Sequence, residues 1–242
     1  MKKKIIIITG EPISINTEII YKSWKKINKN LKKKIYFISN FRLLNDQFNY
    51  LKYNVKIKKV KSLDECENES FIKVLNVDLN YKNFLKLASS EVDKFIIQSF
   101  DIAHELALKK NVKGIINCPI NKSHLNKKFY GATEYFASKC SIKDNSEVML
   151  IRAKELAVTP ITTHLDVKNI VKKINLKLII KKILTINTFF KHIFKKKPKI
   201  AVLGLNPHNA EFKKNSEENT IIIPSIKKLK KMNVNLDGPF AS

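Results

Sequence analysis

The sequence predicts an α/β protein, a largely parallel sheet sandwiched by helices with an antiparallel portion in its later half. Three observations carry this reading. Short continuous apolar runs, as a strand buried on both faces requires, alternate with stretches of helical period. One segment, 147–164, breaks the alternation: two apolar runs flank Ala153-Lys154-Glu155, as in an antiparallel hairpin. No internal repeat and no flexible linker interrupts the pattern.

The elements follow in order. "KIIIIT" (4–9) is a buried strand. In 16–31, Ile19, Ile20, Trp24 and Ile27 line one side of a helix that Ser14 or Asn16 caps. Strand 35–39, helix 42–53, an alternating edge strand 55–60 and strand 70–78 come next. The strongest helix is 89–111, with Val92, Phe95, Ile96, Phe100, Ala103 and Leu106 at spacings of three and four and a cap at Ser89 or Ser90. Strand 113–120 leads to two short helical pieces, "NKSHLNKK" and "TEYFASKC", around Gly131. After the hairpin, a helical region 166–195 breaks near Asn175, a strand spans 199–206 and a last helix spans 216–232. The terminal "NVNLDGPFAS" reads as extended and turn-containing, like a chain cut in mid-domain.

The chain has 242 residues and is 44% hydrophobic, enough for a sizeable core. No apolar run reaches the roughly 18–20 residues of a membrane helix. "IIIIT" is too short for a signal-peptide core, so the expected location is cytoplasmic. Cys66, Cys118 and Cys140 are odd in number and widely spaced, which argues for reduced thiols. The net charge of +26 raises the question of nucleic acid. However, only Arg42 and Arg152 among the 47 basic residues are arginine, and the lysines are spread along the chain. A compositional bias carried on solvated faces accounts for this charge, so no specific nucleic-acid partner is expected.

Chemistry is expected where strands end. His164 and His208 each follow an apolar strand, "LAVTPITTH" and "KIAVLGLNPH", and ligand sites of open α/β sheets gather at carboxyl strand ends. Neutral imidazole is a common ligand for zinc and related metals. Thr162 and Thr163 stand beside His164, and Pro207 stiffens the approach to His208. Two histidines fall one short of a catalytic zinc set, and the alternative is that each is only a polar strand-end residue. Lys122 follows its strand in the same way and suits an anionic group, although lysine is abundant here. His104 and His192 read as structural or solvated, and His124 as a weak candidate. With five glycines there is no GxGxxG, and there is no Walker loop and no GxSxG elbow.

Several stretches resemble one family, the 4-hydroxythreonine-4-phosphate dehydrogenases. "IITGEPISINTEI" (7–19) resembles their "TxGDPxGIGPE", "INCPINK" (116–122) their "xxPxxK", and "YGATEYFA" (130–137) their "GHTEYLA". "TPITTHLDVKNI" (159–170) resembles "ATTHxPLxxV", "GLNPHNAE" (204–211) resembles "GLNPHAGE", and "LDGPFAS" (236–242) resembles "GPxxADT". The resemblance implies a fold like that of isocitrate and isopropylmalate dehydrogenases: two α/β subdomains, and NAD or NADP bound without GxGxxG. It implies a homodimer with the active site near the interface, and a divalent metal (Zn, Mg or Co) on three histidines, two of which fall on His164 and His208. Thr133 matches a substrate-contacting threonine, and Lys122 lies in a motif near the small phosphorylated substrate. The implied reaction oxidises 4-hydroxy-L-threonine 4-phosphate to 2-amino-3-oxo-4-phosphooxybutanoate, which decarboxylates to 3-amino-2-oxopropyl phosphate for pyridoxal phosphate synthesis.

The chain also departs from the family pattern. The histidine of "GHTE" is Ala132 here, Ser14, Asn16 and Thr17 replace residues of the first motif, and "FKKNSEENT" replaces a glycine-rich tail. The family's "YHDQG" histidine and a nearby lysine, asparagine and arginine have no counterpart. Residues 1–242 therefore read as one dehydrogenase domain lacking its C-terminal part. Two alternatives stay open: a dehydrogenase of a threonate or erythronate phosphate, and a non-enzymatic remnant.

Overall fold

The computed structural model describes residues 3–125, 129, 131–142 and 147–241. The chain forms two compact units, Met1–Lys139 and Cys140–Ser242. In the first, the order is β1 (Lys4–Ile8), α1 (Asn16–Lys26), α2 (Lys29–Lys32), β2 (Ile35–Ser39), α3 (Phe41–Tyr50), β3 (Lys56–Val60), β4 (Phe71–Asn76), α4 (Ser89–Ala107), β5 (Val112–Asn117) and α5 (Ala132–Lys139). The strands make one sheet in the order β3-β4-β2-β1-β5, with every pairing parallel.

The period-2 alternation of the strands explains why helices cover both faces. Tyr36 and Ile38 of β2 join Ile6 and Ile8 of β1 under α4, against Val92, Phe95, Ile96 and Phe100. Ile35 and Phe37 point to the other face and meet Ile20 and Trp24 of α1 and Leu44 and Phe48 of α3. β2 is buried at all five residues, as a central strand must be. β3 lies at the sheet edge, as its alternating pattern predicts. Its lysines suit an edge, because charge there discourages further strand pairing.

The helix termini depart from expectation. Asn16 does not cap α1; its carboxamide donates to the Thr9 and Pro119 carbonyls at 3.0 and 2.8 Å. The single helix expected over 16–31 breaks after Lys26, and the Asn28 side chain accepts from Leu31 N to begin α2. Helix α4 starts after Ala88 with no side-chain cap, so Ser89 and Ser90 fall inside it. Of "NKSHLNKK", a 3-10 turn forms over Lys122–His124, and Asn126–Lys128 lie outside the described residues.

The second unit comprises β6 (Ile151–Arg152), β7 (Ala157–Val158), α6 (Val167–Lys173), α7 (Leu176–Ile193), β8 (Ile200–Leu203), α8 (Ile223–Lys231) and β9 (Leu236–Phe240). The antiparallel hairpin is present as β6 and β7, closed by Ala153 N donating to Leu156 O at 2.8 Å, but its arms are short. The break at Asn175 is also present, with the Asn175 side chain accepting from Leu178 N to cap α7. A π-helical turn, Glu218–Ile222, precedes α8. The segment read as merely extended after the last helix is strand β9, paired parallel with β8. Ile179, Ile183, Ile226, Leu229 and Leu236 form this unit's core. Among the described residues no helix is long and apolar enough to cross a membrane. Among the described residues no disulfide forms; Cys66 and Cys118 are buried and Cys140 is exposed.

Candidate active site

In the first unit, β1 and β5 are parallel neighbours, so their exits lie at one edge of the sheet. Gly10 has φ +74°, and a Cβ there would sit 2.5 Å from the Pro119 carbonyl oxygen and 2.8 Å from that of Cys118. A side chain at this position would push the two exits apart. Glu11 N donates to Pro119 O at 3.2 Å, and a Glu11 carboxylate oxygen accepts from Asn121 N at 2.9 Å. These bonds fix the segment from Cys118 to Asn121, and Lys122 follows, exposed, at the head of the 3-10 turn. Burial pushes the Cys118 thiol up to about 11, so it stays protonated near neutral pH and is no nucleophile.

Thr133 is exposed in the first turn of α5. That helix is fixed to α4: Tyr135 OH donates to Asp101 at 2.8 Å, and its ring meets Phe100 edge-on with centroids 5.3 Å apart. Burial, together with the bond to Asp101, pushes the Tyr135 phenol up to about 12. Tyr135 is therefore an anchor and not an acid or base at ordinary pH.

In the second unit, His208 follows β8 as expected, exposed, with φ +51°. His164 is exposed with φ +54°, but β7 ends at Val158, so this histidine lies in the segment beyond the strand and not at its last residue. The short hairpin arms account for the difference. Among the described residues, no three His, Cys, Asp or Glu side chains form a metal-binding group.

The approach to His208 is held by a residue that sequence reasoning missed. Glu218 is fully buried, and one of its carboxylate oxygens accepts from Leu205 N at 2.9 Å and Asn206 N at 2.8 Å. The Asn206 carboxamide donates to it as well. Burial alone would raise the Glu218 carboxyl, but the bonds from Asn206 and Leu205 outweigh it and hold the group below the usual range. Past Pro207 the backbone is left-handed, with φ between 48° and 54° from His208 to Phe212. Asn209 tucks inward and donates to Pro239 O at 3.3 Å, against Gly204, where an added Cβ would overlap the Asn209 carboxamide oxygen. The only sequence signal for Glu218 was an acidic pair beside the apolar run "TIII".

The model of the family described as "Pyridoxal phosphate biosynthetic protein PdxA" matches residues 30–242. A 4-hydroxythreonine-4-phosphate dehydrogenase of Sulfurihydrogenibium sp. (strain YO3AOP1) is 30% identical over 98% of this chain and 74% of its own length. The chain belongs to the PdxA family. Another relative, from Oceanobacillus iheyensis and provisionally named D-threonate 4-phosphate dehydrogenase, is 29% identical over 98% of this chain and 74% of its own. The crystal structure of a 4-hydroxythreonine-4-phosphate dehydrogenase from Klebsiella pneumoniae superposes with a TM-score of 0.87 at 23% identity, covering 99% of this chain and 75% of that one. That likeness bears out the expected fold class, a parallel α/β sheet with a small antiparallel portion.

Proposed function

We propose that the chain is an NAD(P)-dependent 4-hydroxythreonine-4-phosphate dehydrogenase acting in pyridoxal phosphate synthesis, with both units read as parts of one dehydrogenase domain. The observation that carries this reading is the His208 loop: within a PdxA-family chain, "GLNPHNAE" leaves β8 on a backbone fixed by the buried Glu218. An imidazole on a fixed loop suits metal ligation better than a mobile surface histidine does. His164 and His208 are read as two ligands of a divalent metal (Zn, Mg or Co), an ion that their imidazole donors fit. When bound, the metal would polarise the substrate alcohol and the nicotinamide of NAD or NADP would accept its hydride. Lys122 is read as the cation for the substrate phosphate and Thr133 as a hydroxyl that orients the substrate. The ketone formed lies β to the carboxylate, so loss of carbon dioxide to 3-amino-2-oxopropyl phosphate follows from its own chemistry. A cytoplasmic homodimer with no membrane and no specific nucleic-acid partner completes the reading.

The test is nicotinamide reduction at 340 nm with 4-hydroxy-L-threonine 4-phosphate. His208→Ala and chelator treatment are each expected to lower turnover about a hundredfold or more. Unchanged turnover in His208→Ala rules out the metal role. A second reading, oxidation of a threonate or erythronate phosphate, is favoured by Ala132 and by the Oceanobacillus relative. A panel of the three phosphorylated hydroxy acids decides by the ratio of their kcat/KM values.

A further inference from the structure

The loop carrying Lys122 is braced by a set of charged groups, of which His124 and Asp93 lie outside the family motifs. His124 Nδ1 lies 2.5 Å from Asp93 Oδ1, and its Nε2 lies 3.6 Å from Glu11 Oε1. The two carboxylates come from different elements: Asp93 from the first turns of α4, and Glu11 from the exit of β1. The other Glu11 oxygen accepts from Asn121 N at 2.9 Å, and the Asn121 carboxamide oxygen accepts from Ser123 N at 3.1 Å. On the far side of the turn, Leu125 N donates to Lys122 O at 3.0 Å, and the Leu125 side chain is fully buried in the core under α4. The His124 side chain is only 13% exposed. Lys122 is thus an exposed residue of a turn that is fixed on both sides.

We propose that His124 is a positioning residue: bridging Asp93 and Glu11, it locks the 3-10 turn and so sets where Lys122 presents its ammonium to the phosphate of an anionic substrate. The proposal rests on the reading of Lys122 as the anion-binding lysine. An ionised Asp93 can only accept, so the bonded Nδ1 carries a proton, and the tautomer and ring orientation are fixed by that bond. Removing the imidazole does more than delete two contacts. It leaves the Asp93 and Glu11 carboxylates without the ring that contacts both, and the like charges then favour separation of the α4 end from the β1 exit. Since Glu11 also holds Asn121, the loss reaches the residue next to Lys122 directly. A lysine presented by a loosened turn must be ordered on binding, which weakens its grip on the anion.

Two readouts on the whole chain test this. The first is amide exchange of Asn121 and Leu125, which is expected to speed up about tenfold in His124→Leu. The second is affinity for inorganic phosphate followed by 31P NMR, which is expected to weaken about tenfold in that variant. His124→Asn keeps a donor near the Nδ1 position and is expected to restore both. Asp93→Asn, nearly isosteric, is expected to give a partial loss of both, and it carries the test if the leucine variant does not fold. With active enzyme, the variants are expected to raise KM for the phosphorylated substrate more than they lower kcat. Wild-type exchange and wild-type phosphate affinity in folded His124→Leu would overturn the proposal. Unchanged phosphate affinity in Lys122→Ala, alongside faster exchange in His124→Leu, would overturn the reading of Lys122 and leave the brace standing.

Discussion

Lys73 shows how a single buried charge leaves a measurable trace. It sits fully buried in β4, donates to the Lys32 and Lys33 carbonyls at 2.9 Å each, and lies 4.6 Å from the centre of the Tyr36 ring. It thereby satisfies carbonyls at the end of α2, which has no glycine cap. Burial lowers its pKa to about 8 from 10.5. Below pH 8 both the folded and unfolded chains hold the proton, and the cost of burying the charge is fully present. Between about 8 and 10.5 the unfolded chain holds more protons, so this group's contribution to stability rises with pH. Relative to Lys73→Met, the wild type is therefore expected to gain about 1–2 kcal/mol between pH 7 and 9.5 in urea titrations. A constant difference would show that the charge is solvated. Ala210 leaves a trace of another kind. With φ +48° it occupies the position where the family motif "GLNPHAGE" has glycine. Ala210→Gly is expected to stabilise the fold by about 0.5–1 kcal/mol, read as a higher denaturation midpoint at unchanged slope. A lower midpoint would contradict the left-handed turn.

Among the elements, the β8 exit depends most on one distant side chain. Glu218→Ala would leave the part-buried Leu205 and Asn206 amides without their acceptor, at a cost of about 1 kcal/mol or more. Glu218→Gln keeps an acceptor oxygen and is expected to cost less. Exchange at Leu205 and Asn206 is expected to rise in both variants, and affinity for zinc, if His208 ligates it, to fall about tenfold in the alanine variant. Slow exchange in Glu218→Ala would mean that the loop holds itself. This dependence also marks what sequence reasoning can and cannot read. Strands β1 to β5 and helices α3, α4 and α7 were legible because their side-chain period matches burial in their own segment. β9 was not, because "LDGPF" carries the Gly-Pro pair that ordinarily argues against a strand, and its pairing with β8 is a non-local fact. The same holds at the site. His208 and Lys122 stand out as polar residues just past apolar runs. The carboxylates that fix their loops come from Glu218, well along the chain, and from Glu11 and Asp93, far before His124, and no local pattern links them. The expected Asn16 cap failed for a related reason: Asn16 had a stronger use for its carboxamide, tying the exits of β1 and β5 together.

At the scale of the whole molecule, the β6–β7 hairpin bears on the proposed homodimer. A two-stranded hairpin is marginal in water by itself and persists when an apolar face is packed against something. Here Ile151 and Val158, which face each other in the ladder, are 60% and 52% exposed, and Leu156 of the connecting turn is 67% exposed. In the first unit, Ile116 of the edge strand β5 is likewise half exposed. Exposed residues of this size, gathered on a short hairpin, favour association over solvation. A symmetric dimer is the commonest way for a chain to cover such a patch with a copy of itself. If the hairpin contributes to a dimer, Leu156→Lys with Val158→Lys is expected to convert the light-scattering mass from twice 28.0 kDa to the single-chain value. The circular dichroism spectrum should stay unchanged, because neither residue belongs to the core clusters of its unit. Activity should fall with dimer content if the active site lies near the interface, and recover at protein concentrations that restore the dimer. A double variant that remains dimeric would place the interface elsewhere. A wild-type chain that is monomeric at every concentration would remove the homodimer from the proposed function, while leaving the roles of His208 and Lys122 to their own tests.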